Sequence, residues 1–418
     1  MKINFPYGDS SLDLNVPESN LLRVLDRKEM AGLSDEVGAI RESLENPIGD
    51  DPLSDKVGEG DEIVVIVDDN TRPCPDKLLL SPLLERLRGA GVDTDDISIV
   101  IAYGLHPPLD KKGQIDLLGE DIVEGYRIVN HDPGDTERLG ETSKGVPIEV
   151  NKEVLEADFR ISTGLIEPHF FAGFSGGRKS IMPGVSGREA IYGNHGYEMI
   201  EDTHSRPGEL EDNPIYRDSI EHADRADLNF ILNVLLDDRD EIIGAVAGDP
   251  IEAHLEGVRM ERERVVSKVK RGADIVITTN SGAPLDLNLY QTVKGIYHAS
   301  LAAKDGGIIL VASECGEGIG PESFLSLHER ADGPEEVKEI IRNEEPIGVQ
   351  WENQLLARVR EKNDIYLRSS LDDESVENMM MEPVGTLKDG LRRAMEEMGR
   401  DCDIIAVPKG PMVIPEVS

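Results

Sequence analysis

Residues 62–73, E-I-V-V-I-V-D-D-N-T-R-P, open with an apolar, β-branched run and end in a polar turn. A run of this length without polar alternation reads as a strand buried on both faces, the pattern of a parallel sheet. Pro75 to Arg88 then reads as an amphipathic helix, and D-I-S-I-V-I-A-Y (96–103) as a second buried strand. D-F-R-I-S-T (158–163) is a third. Strand, helix, strand in alternation predicts an α/β fold with mainly parallel sheets, and such sheets bind ligands beyond the carboxyl ends of their strands.

Outward from this core the pattern repeats. Residues 1–16 turn at Pro6-Tyr7-Gly8-Asp9 and suggest a hairpin. A helix is expected near 35–45, and the Asp-, Pro- and Gly-rich residues 46–60 form a linker. A long charged helix over 250–271 would suit a domain connector. A second series follows: strand 274–280, helix 288–304, strand 306–313, helices 322–331 and 334–343, strand 363–368 and strand 403–408. A chain of 418 residues is too long for one ordinary core, so two α/β domains are expected. They are placed at 1–265 and 266–404, with the active site in the cleft between them.

Composition excludes several classes of partner. The net charge is −39, from 83 acidic and 44 basic side chains. Nucleic acid and anionic membranes would repel such a chain. No apolar run is long enough to span a bilayer, and M-K-I-N-F-P-Y-G has no apolar core of a secretory signal. Cys74, Cys315 and Cys402 fit no zinc spacing and suit a reducing cytoplasm. The acidity also points to a salt-rich cytoplasm, where the Debye length falls to roughly 3 Å at 1 M salt; the plainer alternative is a merely acidic protein of a mesophile.

The densest chemistry lies in residues 164–196, G-L-I-E-P-H-F-F-A-G-F-S-G-G-R-K-S-I-M-P-G-V-S-G-R-E-A-I-Y-G-N-H-G. Two histidines, a lysine and many glycines follow a buried strand. Glycine lets backbone approach a ligand, and successive N–H groups can form an anion nest. The segment is not a Walker A loop, because Arg178 occupies the position before Lys179 where that motif has glycine. His169 lies ten residues before Lys179, and His195 sixteen after it. V-I-A-Y-G-L-H-P-P (100–108) carries a third histidine, His106, past a strand end. L-Y-Q-T-V-K-G (289–295) places Tyr290 and Lys294 on one face if helical.

Taken together, these separated motifs resemble the nickel-dependent lactate racemase family of 2-hydroxyacid racemases and epimerases, from about residue 5 to the C-terminus. The resemblance implies an isomerase that moves a hydride off and back onto the substrate carbon, with His106 and His169 as two bases on opposite faces. Histidine suits that role because its ordinary pKa is about 6.5. It implies a nickel pincer nucleotide, a pyridinium-3,5-bisthiocarboxylic acid mononucleotide holding Ni through two sulfurs and a ring carbon, bound covalently to Lys179. His195 would be the protein's nickel ligand, and Ser175-Gly176-Gly177 the candidate cradle for the nucleotide phosphate. Arg72 and Lys294 would hold the substrate carboxylate, Arg72 through its bidentate fork, while Tyr290 and Gln291 orient substrate or cofactor. Trp351, the single tryptophan, matches a family position near the site. The implied partners are a small 2-hydroxy acid and the proteins that make the cofactor. The resemblance also suggests a return of 405–418 to the first domain. Three alternatives stand beside the racemase: a sugar-acid epimerase of the same family, a non-catalytic relative that only binds the nickel cofactor, and a phosphate-binding hydrolase built on the glycine loop.

Overall fold

The computed structural model describes all 418 residues and contains two six-stranded sheets. The first runs in the order Ile242–Gly248, Phe230–Leu236, Phe159–Leu165, Ile63–Asp68, Ile97–Ala102, Arg127–Asn130. Every neighbouring pair is parallel except the outermost hairpin of Phe230–Leu236 and Ile242–Gly248. Phe159–Leu165 is buried at all seven positions, and Ile63–Asp68 at all but its last. That two-sided burial explains their unbroken apolar character. Helix Asp76–Gly89 follows the second of these strands and packs Leu79, Leu80, Leu83, Leu84 and Leu87 into its core.

The second sheet is wholly parallel: Glu382–Pro383, Asp364–Arg368, Ala303–Ala312, Ala273–Thr279, Ile404–Val407, Leu21–Val24. Its membership corrects the expected boundaries. Leu21–Val24 joins this sheet, and the hairpin of Lys2–Tyr7 and Ser10–Asn15 packs Ile3, Phe5 and Leu14 against Ile275, Ile277 and Leu310. The first 24 residues therefore belong with the second domain. The C-terminal segment divides: Ile414 packs with Ile166, Phe174 and Val246 of the first domain, while the strand before it stays in the second sheet. Ile404–Val407 is fully buried and needs a neighbour on each side, which Ala273–Thr279 and Leu21–Val24 supply. The charged connector ends sooner than expected: helix Glu252–Val265 gives way to strand Val266–Val269, paired with Ile414–Val417. No helix is long and apolar enough to cross a membrane.

In the first sheet, the chain builds outward from Ile63–Asp68 on one side, then crosses to lay down Phe159–Leu165 on the other. Such a reversal opens a crevice at the strands' carboxyl ends. The second domain closes over it. Phe170, Phe171 and Ala172, just past Phe159–Leu165, share one hydrophobic cluster with Leu289, Val293, Ile296 and Phe324 of the second domain.

Candidate active site

Two loops line the crevice. The turn after Ile63–Asp68 carries Asp69 and Arg72, and the loop after Phe159–Leu165 carries Glu167 and His169. The Arg72 guanidinium is ion-paired with the Glu167 carboxylate, so the two loops are joined across the opening. Asp68 lies beneath, and burial raises its carboxyl to about 6, opposed by Arg72 and reinforced by Asp69.

His106 and His169 are held in different ways. The Nδ1 of His106 lies 2.7 Å from Asp69 Oδ2. Burial works against ionisation of Asp69, yet the bonds from His106 and Thr71 outweigh it and hold its pKa below the usual carboxylate value. An ionised carboxylate only accepts, so His106 donates from Nδ1 and keeps a lone pair on Nε2. Its side chain is 55% exposed. His169 is buried, and its Nδ1 accepts the Ala172 N–H at 3.2 Å. The neutral ring therefore carries its proton on Nε2. Burial, aided by Lys179, Arg72, Lys294 and His195, pushes its pKa well below the ordinary value. One histidine offers a lone pair and the other a proton.

Lys179 and His195 follow on the same loop and at the end of the helix after it. Lys179 has no carboxylate partner; its Nζ lies 6.0 Å from the centre of the Phe171 ring. Burial, with Arg72 and Arg178 nearby, pushes its pKa well down. A desolvated amine beside other cations is nucleophilic. His195 stands edge-on to Phe171 at 4.9 Å and to Trp351 at 5.0 Å. Its Nδ1 bonds the Asn194 side-chain oxygen at 2.8 Å, which leaves the Nε2 lone pair free.

Within Ser175-Gly176-Gly177, several polar groups bond other parts of the chain. The Ser175 hydroxyl donates to Leu165 O at 2.6 Å, and its N–H to Glu167 O. Gly177 N–H donates to Asn233 Oδ1 at 2.8 Å. Gly177, at φ +55°, has no Cβ because the His254 ring fills that space at 2.9 Å. Gly176 likewise makes room for Asn233 and Ile166. Arg178 braces the same loop, donating to the Ala172 and Phe174 carbonyls and stacking 4.1 Å over Tyr216.

From the second domain, helix Leu289–Ser300 brings in Tyr290, Gln291 and Lys294. Lys294 Nζ donates to Gln291 Oε1 at 2.7 Å and lies 6.0 Å from the Phe170 ring centre, while Phe170 stacks on His169. Tyr290 turns toward Phe324 instead. Glu352 is buried beside Lys294 and Tyr290, and burial raises its carboxyl to about 8, with Lys294 opposing. Trp351 sits on helix Gln350–Arg360, whose N-cap Val349 has φ +61°, an outlying conformation for a β-branched residue. Arg72, His169, Lys179, His195, Lys294, Gln291 and Trp351 thus gather in one interdomain cleft, with His106 at its exposed side.

Sequence reasoning overlooked Asp69, Asn194, Glu352 and the phenylalanines at 170 and 171 as parts of this site. Only Asp69 left a readable trace, a second acid in D-D-N-T-R-P at a strand end.

Residues 7–208 match the family description "Lactate racemase N-terminal domain", and residues 268–415 match "Lactate racemase C-terminal domain". The chain belongs to the lactate racemase family. It is 38% identical to the lactate racemase of Thermoanaerobacterium thermosaccharolyticum, over 99% of this chain and 98% of that protein. It is 35% identical to the lactate racemase of Lactiplantibacillus plantarum, over 99% of each. The apoprotein structure of the T. thermosaccharolyticum enzyme superposes with a TM-score of 0.94 at 38% identity, covering 100% of both chains. A crystal structure of a Thermotoga maritima protein, 17% identical, has a TM-score of 0.69 over 94% of this chain and 100% of its own, and shares the fold. The chain is therefore an enzyme, a racemase and so an isomerase.

Proposed function

We propose that this racemase inverts a small 2-hydroxy acid of the lactate type, using His106 and His169 as bases on the two faces of the substrate carbon. The observation that carries the reading is the pair of histidines fixed in complementary states beside Arg72: His106 with an open Nε2, His169 with a protonated one. Breaking the C–H bond of a 2-hydroxy acid as hydride needs an acceptor that no side chain provides.

A nickel pincer nucleotide fits the residues present. Lys179 is half-buried, and its desolvated amine has no ionic partner, which suits covalent attachment. His195 presents an imidazole lone pair with its other nitrogen already bonded. No group of three His, Cys, Asp or Glu side chains gathers to hold a metal. A nickel ion there would take most of its ligands from the nucleotide, and imidazole beside soft sulfur suits Ni(II). When bound, this group supplies the hydride acceptor.

The remaining work falls to the chain. Arg72 and Lys294 hold the substrate carboxylate, Arg72 by its planar fork. His106 Nε2 takes the hydroxyl proton of one enantiomer, and Asp69 stabilises the imidazolium that results. His169 serves the other enantiomer. As the Nε2–H tautomer it first donates a hydrogen bond to the substrate oxygen; its ring proton must move to Nδ1, releasing the Ala172 contact, before Nε2 accepts one. Phe170, Phe171 and Trp351 keep the floor of the cleft dry, which strengthens each of these contacts. Cofactor-making proteins are the partners this scheme requires, and a salt-rich cytoplasm is the setting that the net charge favours.

Intact-protein mass with metal analysis, after coexpression with cofactor-making proteins, tests the proposal. A nickel-bearing adduct and racemisation of lactate support it. Activity without nickel or sulfur cofactor rejects it, and activity confined to sugar acids replaces lactate with the epimerase reading.

A further inference from the structure

A line of buried polar groups runs from His195 away from the cleft. His195 meets the Asn194 side-chain oxygen at 2.8 Å. The Asn194 amide nitrogen donates to Asp218 Oδ2 at 2.7 Å and reaches Ile215 O at 3.3 Å. The Thr142 hydroxyl donates to Asp218 Oδ1 at 2.6 Å. His222 Nδ1 lies 3.4 Å from Asp218 Oδ2. Asn194 and His222 are 0% exposed and Asp218 is 1%. Asn194 ends helix Arg188–Asn194, and Asp218 and His222 sit on helix Pro214–Arg225. Burial raises the Asp218 carboxyl, while the bonds from Thr142 and Asn194 and the nearby His222 oppose the rise.

The polarity of this line is set chiefly at its far end, by the shorter Asp218 bond, with the longer contact to Ile215 O in the same sense. An ionised carboxylate can only accept. Thr142 donates to one oxygen, so Asn194 must turn its amide nitrogen to the other. Its carbonyl oxygen then faces His195, which must carry hydrogen on Nδ1 and leave Nε2 bare. An amide turned the other way would put an N–H against Nδ1 and move the ring proton to Nε2, where it would block a ligand bond.

We infer that Asp218, acting through Asn194, is a positioning residue that holds His195 in the Nδ1–H tautomer and so keeps its Nε2 able to bind a metal. The tautomer part stands on the geometry alone, whereas the metal part rests on the nickel reading above. Groups behind a metal-binding histidine fix its ring and raise its basicity, and their loss typically costs about 10–100-fold in metal affinity.

The test uses the full chain, metal-free and labelled with ¹⁵N-histidine. Two-bond ¹H–¹⁵N spectra report the His195 tautomer, with the resonance assigned by its disappearance in His195→Gln. The wild type should show Nδ1–H alone. Asp218→Asn, which keeps shape and loses charge, and Asn194→Ala, which cuts the link, should each admit the Nε2–H form. Thr142→Val disturbs the same pocket but leaves an accepting carboxylate, so its tautomer should stay as in the wild type. In nickel-loaded protein, Asp218→Asn should lose nickel to a chelator about 10–100-fold faster. An unchanged Nδ1–H tautomer in both Asp218→Asn and Asn194→Ala overturns the inference, and either variant decides it if the other fails to fold. If His195→Ala retains nickel like the wild type, the nickel reading is what fails, and the metal-free spectra still decide the tautomer claim.

Discussion

The Arg72 guanidinium is paired with the Glu167 carboxylate across the crevice between the two central strands of the first sheet. The cation proposed for the substrate carboxylate thus already holds a carboxylate of the protein. A hydroxy acid must share or displace that partner. Replacing Arg72 by Lys keeps the charge and loses the fork. The expected loss in kcat/KM is about 1.5–3 kcal/mol, the scale of hydrogen bonds to charged groups. Glu167→Gln should act in the opposite sense on binding and lower KM, because the competing charge is gone. Steady-state kinetics of both variants check this; a lysine variant with wild-type efficiency would remove Arg72 from carboxylate binding.

Asp68 links the site to stability. Burial lifts its carboxyl from 3.8 to about 6. Between roughly pH 4 and 6 the folded protein therefore keeps a proton that the unfolded chain has released, and stability falls as pH rises through this window. Asp68→Asn should remove that fall. Relative to the wild type, the variant should gain about 2–3 kcal/mol between pH 4 and pH 7. Urea unfolding at the two pH values measures it, and an equal stability difference at both would mean that burial does not control this carboxyl.

The covalent assignment separates two residues that lie in one pocket. Lys179→Ala should abolish the cofactor adduct seen by mass, and His195→Ala should keep the adduct and release nickel more readily. Intact mass and metal analysis after coexpression with cofactor-making proteins provide the readout. An unchanged adduct in the lysine variant contradicts the assignment.

Salt should raise both melting temperature and activity from low ionic strength to molar KCl. With a net charge of −39, self-repulsion opposes folding and the field repels an anionic substrate. Screening relieves both. Flat or falling curves would discard the salt-rich setting and leave the racemase chemistry untouched.

Strands buried on both faces were the easiest features to read, since I-V-V-I-V and I-S-I-V-I admit little else. Leu21–Val24 was not readable as part of the second sheet. It is a short, half-exposed edge strand whose partner, Ile404–Val407, lies almost the whole chain away. The site followed the same division. Arg72, His106 and His169 stand just past strand ends, where local sequence marks them. What fills the space beside the glycines was not legible, because composition does not name it: Asn233 and Ile166 stand against Gly176, and His254, from a helix far downstream, against Gly177. Asp218 and Asn194 gave no signal at all, because a buried acid on a helix looks like a solvated one until its neighbours are known.

The two histidines provide the sharpest test of the proposed chemistry. If His106 and His169 serve opposite faces, each enantiomer loses its hydroxyl proton to a different base. His106→Ala and His169→Ala should each stop net racemisation, because the cycle needs both. Each variant should still oxidise one enantiomer to bound keto acid in a single turnover, and the two should prefer opposite enantiomers. Removing a general base costs about 10²–10⁴-fold, so the surviving half-reaction stands clear of the lost one. Rapid-quench detection of keto acid from each enantiomer decides the matter. Asp69→Asn offers an independent check. It removes the carboxylate that holds His106 Nδ1 and nothing that touches His169. It should therefore slow the half-reaction that His106→Ala abolishes and spare the other. Variants that accept the same enantiomer, or an Asp69 variant that slows both half-reactions equally, would refute the assignment of the two bases to two faces.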